Sequence, residues 1–352
     1  MKVYLVGGAV RDELLGLPVT EKDWVVVGET DESMKKMGFK SVGKDFPVYL
    51  HPTSKEEYAL ARKERKVSPG HKGFSFETQK NVTLEEDLYR RDITINAIAQ
   101  DVDGNLIDPF NGKQDIKEKR IKHVSDAFIE DPLRVFRVAR FATKLKSLNF
   151  SVEDQTKELM ISISDSKEIE ELSFERIWQE TEKSLGYKNS SHYFNILKEV
   201  NALSPFPKMI DNFEASLERL KIIEQVSDKK ELKWAALNFE NKNLNELSMP
   251  NKFKNFLKCS QIFKETIDKE ISAKNLLEGL MKINTFRNSN YALDVINFIL
   301  KLNININFEI NWNFLVEDLE KIKPQINKQD NGENIKEKVY KERLIVIENY
   351  LK

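Results

Sequence analysis

VYLVGGAVRDELLGLPVTEKDWVVVG, residues 3–28, places two apolar runs around a Gly-Gly turn and a pair of acids. KVYLV and WVVVG have strand length and end at glycine. VRDELLG between them predicts a short helix closed by Gly16. Gly7 and Gly8 carry no side chains, so backbone N–H groups there can approach an anion closely. The turn ends a strand and opens a helix, where the dipole also favours negative charge. Arg11, one turn on, can fork onto the same group. Glu21 and Asp23 stand two residues apart, and on a strand such residues share a face. Two carboxylates on one face repel unless a cation lies between them, and Mg²⁺ takes oxygen ligands while keeping phosphates in its shell. The plain alternative is a surface loop with ordinary exposed acids.

Working outward, the first 110 residues read as mixed α and β. DESMKKMG predicts a second short helix, FPVYL and EYALA further strands, and AIAQDVDGNLID two strands about an Asp-Gly turn. RKERKVSPGHKGFSFET, at 62–78, is basic, carries Gly, Pro and Ser, and shows no period. It reads as a mobile loop, either solvated or in contact with an anion, and as a candidate for movement between substrates. TLEEDLYRRD opens with a capping box, Thr83 and Glu86. From about residue 113 the period becomes helical and stays so, with Phe, Ile and Leu recurring at three- and four-residue spacing as in a bundle. The Asn-rich stretch 300–335 can accommodate a loop. The fold class this implies is α+β: a small N-terminal mixed sheet followed by an all-α remainder.

Composition bounds the function classes. The 352 residues suffice for two or three domains. With 56 Lys and Arg against 57 Asp and Glu, the net charge of −1 advertises no nucleic-acid binder, so any basic surface must be local. The single cysteine, Cys259, permits no internal disulfide and no cysteine-based zinc site. No stretch has the length of a membrane span or the pattern of a signal peptide, which places the chain in a reducing cytoplasm.

Two further segments carry charge in a pattern. RRDITINAIA sets Arg90, Arg91 and Asp92 before an apolar alternation. Arginine there suits phosphate or ribose, or simply finishes a helix. In EDPLRVFRVARF, Asp131, Arg134, Arg137 and Arg140 recur at steps of three and form a winding stripe opposite Val135, Val138, Ala139 and Ala142. Such an arginine edge wants an anion, or is a solvated helix face with Asp131 as counter-charge. Asp131 and Arg134 together offer acceptors and donors enough to read a base edge.

GGAVRD, acid-x-Asp-Trp before a valine run, RRD-x-T-x-NA, DPFNG and EDPLRVFRVARF, in this order, resemble the class II tRNA nucleotidyltransferases. These are the CCA-adding enzymes and their bacterial poly(A) polymerase relatives. FPVYLHP, EYALARKERK and TLEEDLYRRDITINAIAQD are similar to the proteobacterial CCA-adding branch in particular. The likeness runs from residue 1 to about 200. It implies a catalytic head at 1–112, a base-recognising helical neck at 113–200 and a tRNA-binding body and tail at 201–352. By the same resemblance Glu21 and Asp23 would hold Mg²⁺, and Gly8 and Arg11 would cradle the triphosphate. Arg91 would contact the nucleotide and Asp92 the ribose. Asp131 and Arg134 would select C or A, with Arg137 and Arg140 completing the nucleotide site.

The partners implied are CTP, ATP and the acceptor end and elbow of tRNA, with no DNA, membrane or obligate protein partner. The reaction implied is attack of a tRNA 3′-hydroxyl on an α-phosphate. Two departures stand out. The family usually has Asp-x-Asp where this chain has Glu21, one methylene longer. Many relatives also carry a histidine-rich phosphohydrolase half. This chain has His51, His71, His123 and His192 only, so no phosphatase or phosphodiesterase activity is expected. Poly(A) synthesis, addition of only CC or only A, and RNA binding without catalysis are the competing readings.

Overall fold

The computed structural model describes residues 1–42, 48–66, 74–77, 80–206, 212–241, 249–268, 271–302, 310–323 and 331–352. The chain divides into two compact units, Met1–Phe206 and Pro207–Lys352.

The first unit is built on a seven-stranded sheet of order β3-β4-β5-β2-β1-β8-β9. Its centre is β1 (Lys2–Val6) against β2 (Asp23–Val27), antiparallel, with Val6 opposite Asp23. The continuous Val-rich runs of both strands suit central strands buried on both faces. β5 (Glu57–Leu60) adds in parallel to β2, and β4 (Val48–Leu50) and β3 (Lys40–Val42) extend that edge antiparallel. β8 (Ala99–Gln100) and β9 (Leu106–Ile107) form the predicted Asp-Gly hairpin on the other side. Two helices punctuate the strands: α1 (Gly8–Leu14) follows β1, and α2 (Asp31–Lys36) follows β2 under a Thr30–Ser33 capping box. One sheet face buries Val26, Met34, Phe39, Tyr49 and Leu60; the opposite face buries Val6, Val25, Val82, Leu88 and Ala99.

The basic segment read as a loop carries strands at both ends. β6 (Lys63–Lys66) and β7 (Phe74–Glu77) pair antiparallel as a ribbon of their own. The residues between them lie outside the described ones, as do Phe46 and Pro47 of the predicted FPVYL strand. α3 (Leu84–Tyr89) begins at Thr83 with the predicted capping box. α4 (Gly112–Glu118) follows DPFNG, and Asp108 accepts the Gly112 and Lys113 backbone N–H groups at 2.7 and 2.9 Å. α5 (Leu133–Lys144) then packs against α7 (Phe174–Leu185) and α8 (Ser191–Glu199). A short parallel pair, β10 (Arg120–Ile121) with β11 (Ser151–Val152), and α6 (Asp154–Asp165) complete the unit.

The second unit is helical among its described residues: α9 (Phe213–Glu224), α10 (Lys230–Asn238), α11 (Asn251–Ile267), α12 (Ala273–Lys282), α13 (Ser289–Lys301), α14 (Trp312–Lys321) and α15 (Gly332–Tyr350). Its core gathers Phe256, Phe263, Leu277, Val295, Phe298, Leu315 and Ile347. α14 falls inside the Asn-rich stretch 300–335, read as able to include a loop; residues 303–309 and 324–330 of that stretch lie outside the described ones. No described helix is long and apolar enough to cross a membrane.

Candidate active site

The register of β1 and β2 does the first positioning. Because Val6 faces Asp23, the Gly7-Gly8 turn leaves the sheet at the same end where the acids enter it. The strand begins at Asp23, so Glu21 precedes it rather than sharing its pleat. Both carboxylates nevertheless line one pocket of about 980 Å³. Asp23 is exposed, yet the surrounding protein displaces enough water to raise its carboxyl above the usual range. Glu21 adds to that rise; Arg91 and Arg137 oppose it. Two hard oxygen donors whose charges reinforce each other's cost are a donor set suited to a divalent cation. Among the described residues no group of three or more His, Cys, Asp or Glu is placed to hold a metal ion.

The turn is tight. Gly7 sits at φ 72°, a conformation L side chains rarely adopt, and a Cβ there would meet Arg91 Nη1 at 3.0 Å. α1 opens at Gly8, as expected from sequence, and has only seven residues, so the dipole at its start is small. Arg11 on α1 is 2% exposed. Its Nε and Nη2 donate to Asp12 at 2.9 and 2.8 Å and its Nη1 to Asn96 at 2.6 Å. Lys144 from α5 donates to the other oxygen of Asp12 at 2.7 Å.

The C-terminal turn of α3 supplies the next group. Asp87, fully buried, accepts from Arg90 Nε and Nη2 on Oδ1 at 3.1 and 2.7 Å and from Arg91 Nη2 on Oδ2 at 3.2 Å. Burial alone would push this carboxyl up, but Arg90, Arg91 and Arg62 outweigh it and hold it below the usual range. Asp92 fills its four acceptor positions with protein donors: the Ile93 N–H and Asn96 Nδ2 on Oδ1, and Arg137 Nε and Nη2 on Oδ2. Burial disfavours its charge, and Arg137 with Asn96 more than restores it, leaving the carboxyl far below its ordinary value.

α5 carries the arginine stripe, and the structure settles what it faces. Val135, Val138, Ala139 and Ala142 are buried as the spacing predicts, but Arg134 and Arg140 are buried too, at 6% and 8% exposure. Two of the four stripe residues are therefore buried, while Asp131 and Arg137 stay half-buried at the pocket. Arg137 is held by Asp92, and Arg140 donates through Nε to Glu180 of α7. Arg134 donates to the Ala127 carbonyl and, at 2.6 Å, to the Arg90 carbonyl. Asp131 accepts the Leu133 N–H at 3.1 Å and Arg176 Nη2 of α7 at 3.0 Å. Phe141 lies beneath the guanidinium groups of Arg140, Arg11 and Arg137, at 4.0, 5.1 and 5.7 Å from its ring centroid.

All ten side chains or glycines singled out from sequence line this one pocket: Gly8, Arg11, Glu21, Asp23, Arg91, Asp92, Asp131, Arg134, Arg137 and Arg140. Its lining holds ten cationic side chains against six carboxylates. Sequence reading passed over Asn96, which bridges Arg11 and Asp92, and Arg176, Lys144 and Asp87. For Arg176 the available signal was its four-residue spacing from Glu180 in SFERIWQE, a polar edge on a helical pattern.

Comparison with known proteins follows the same outline. Residues 3–122 match the model of the poly(A) polymerase head domain, and residues 149–213 that of the probable RNA- and SrmB-binding site of polymerase A. A CCA-adding enzyme of Hamiltonella defensa is 53% identical over 245 residues, covering 67% of this chain and 60% of that protein. A multifunctional CCA protein of Pseudoalteromonas atlantica is 50% identical over 253 residues, covering 67% and 62%. The chain thus spans about three fifths of the length of the curated relatives it matches. Among solved structures, a CCA-adding enzyme in its apo form II superposes with TM-score 0.69 at 22% identity, over 99% of this chain and 91% of that one. A tRNA-processing enzyme with CTP superposes with TM-score 0.66 at 24% identity, over 100% and 97%. At these identities the structural likeness is one of fold.

Proposed function

We propose that this chain, which belongs through residues 3–122 to the poly(A) polymerase head-domain family, is a tRNA nucleotidyltransferase that builds the 3′-terminal CCA from CTP and ATP. The observation that carries the reading is the convergence of ten residues from four separated stretches on one strongly cationic pocket. The relatives named as CCA-adding proteins, at 50–53% identity, support the same substrate class.

In this reading residues 1–112 are the catalytic head, 113–200 the neck that reads the base, and 201–352 the body and tail that hold tRNA. Glu21 and Asp23 supply oxygen ligands for Mg²⁺, whose chemistry when bound is to acidify the attacking hydroxyl and neutralise phosphate charge. The open Gly7-Gly8 backbone admits the triphosphate close to α1. Arg11 and Arg91 fix its oxygens by charge-assisted hydrogen bonds, so that charge developing on the leaving pyrophosphate meets donors already in place. Asp92 acts by holding Arg137 and Asn96; a ribose hydroxyl engages it only by displacing one of those donors. Asp131 and Arg134 select the base, with Arg176 and the Arg90 carbonyl fixing their orientation. The 3′-hydroxyl then attacks the α-phosphate in line, its proton leaves to solvent, and pyrophosphate departs.

The test is extension of tRNA transcripts ending before CCA, with Mg²⁺, CTP and ATP, read as 3′-end sequence. Addition of C, C and A followed by arrest is the expected result. A ladder of A would replace this reading with poly(A) synthesis, and arrest after CC or addition of A alone with a partial specialist. No extension by the wild type, together with failure of Glu21→Asp to restore it, would leave RNA binding alone.

A further inference from the structure

Asp87 takes no part in the chemistry just described, and it touches no open space. It is nonetheless the one carboxylate shared by both arginines at the end of α3. Arg90 and Arg91 line the pocket, and both are anchored on it from behind, one on each oxygen. Oδ1 also accepts the backbone N–H of Arg62, a third cationic residue of the pocket lining, at 3.3 Å. The Arg90 carbonyl in turn receives Arg134 at 2.6 Å.

Such a cluster is a poor way to gain stability, because burying three charges costs more solvation than an apolar residue of the same size would. Its product is geometry: the fork of each arginine is set by a group that cannot itself move. The hold on Arg91 is also incomplete. Nη1 reaches the Asn96 carbonyl only at 3.4 Å, and Nε is buried without a hydrogen-bond partner. An anion entering the pocket offers this guanidinium acceptors that the protein withholds, while Asp87 keeps its bearing.

We infer that Asp87 is a positioning residue for nucleotide binding, acting through Arg91. The inference rests on the reading of the pocket as a nucleotidyltransferase site and deepens it. The test is a double-mutant cycle on the full chain: Asp87→Asn, Arg91→Ala and the pair. It is read as kcat and KM for CTP and KM for a tRNA transcript lacking CCA, with Tm taken for every variant. D87N is expected to raise KM for CTP by about 10-fold or more, the scale seen when a partner that orients a ligating group is lost. KM for tRNA should stay within about twofold, and D87N should add no more than about twofold on top of R91A. Losses that multiply in the pair, or a fall in kcat at unchanged KM that follows Tm, would make Asp87 a structural residue only.

Arg91→Lys provides an arm that does not depend on D87N folding. A lysine keeps the charge but lacks the fork that spans Asp87 and Asn96. It should raise KM for CTP nearly as far as R91A does, and a wild-type KM in R91K would overturn the assignment. Calorimetric titration of CTP with Mg²⁺ carries the same cycle for a wild type that extends no tRNA. Failure of the assigned activity and failure of the Asp87 assignment are in this way distinguishable.

Discussion

At the scale of single residues, Gly7 shows how a missing side chain leaves room for a neighbour in the pocket. Its positive φ costs any L residue strain, and the space its Cβ would take belongs to Arg91. Gly16 has a similar φ, 66°, with nothing within 4 Å of a Cβ. Alanine at Gly16 should therefore destabilise by about 1–2 kcal/mol, and at Gly7, whose ψ of −130° lies outside the left-handed helical region, by more. Only Gly7→Ala should displace Arg91, and with it lose at least about tenfold in kcat/KM for the nucleotide. Denaturant melts paired with initial-rate kinetics check this; equal activity of the two variants would detach Gly7 from the site. That Gly8, Arg11, Glu21 and Asp23 belong together was legible because residue type and short spacing mark them, and all four line the one pocket. Asp87 was not, since nothing local distinguishes a buried acid from the neighbouring exposed Glu85 of the same helix.

At the scale of elements, the arginine helix and the DPFNG turn mark where local reading stops. The step of three in α5 was visible in sequence, and so was the demand of its arginines for an anion. The partners were not, because Asp92 and Glu180 lie 45 and 40 residues away and are brought in by the fold. DPFNG was recognisable only by likeness. Its reason is contact: at Gly112 a Cβ would sit 2.3 Å from the Thr94 carbonyl oxygen, so α4 docks flush on the turn that carries Asn96. Thr94 Oγ1 fastens that turn to Asp115 of α4 at 2.6 Å. Gly112→Ala must push helix and turn apart, at a cost of about 1–3 kcal/mol. Thermal melts should place it below Gly16→Ala despite its ordinary φ, and a smaller loss would mean the turn yields easily. The basic ribbon of β6 and β7 was missed for a different reason: β6, Lys-Glu-Arg-Lys, lacks the apolar alternation that announces a strand, and β7, Phe-Ser-Phe-Glu, carries it over four residues only.

At the scale of the whole molecule, charge is nearly balanced while the site is not. A net charge of −1 gives no field to steer an RNA over long distances, yet ten cations crowd the lining of one pocket. On the proposed reading, association with tRNA should therefore depend on local phosphate contacts. The slope of log Kobs against log [NaCl] should be negative, roughly 0.7–0.9 per phosphate neutralised. A slope near zero in filter-binding or fluorescence titrations would put the affinity elsewhere than in ionic contacts. The register of β1 on β2 has one more consequence, for what this gene can tolerate. The spacing between the glycine turn and Asp23 is set by the ladder, where Val6 meets Asp23, and not by the chain that wanders from one to the other. Residues gained or lost in the exposed stretch around Pro18 and Val19 change only the length of a detour. One residue gained or lost inside β1 turns every following side chain of that strand to the opposite face and carries the glycine turn out of register with Asp23. Length variants a few codons apart thus fall into two kinds, one silent and one fatal to the site.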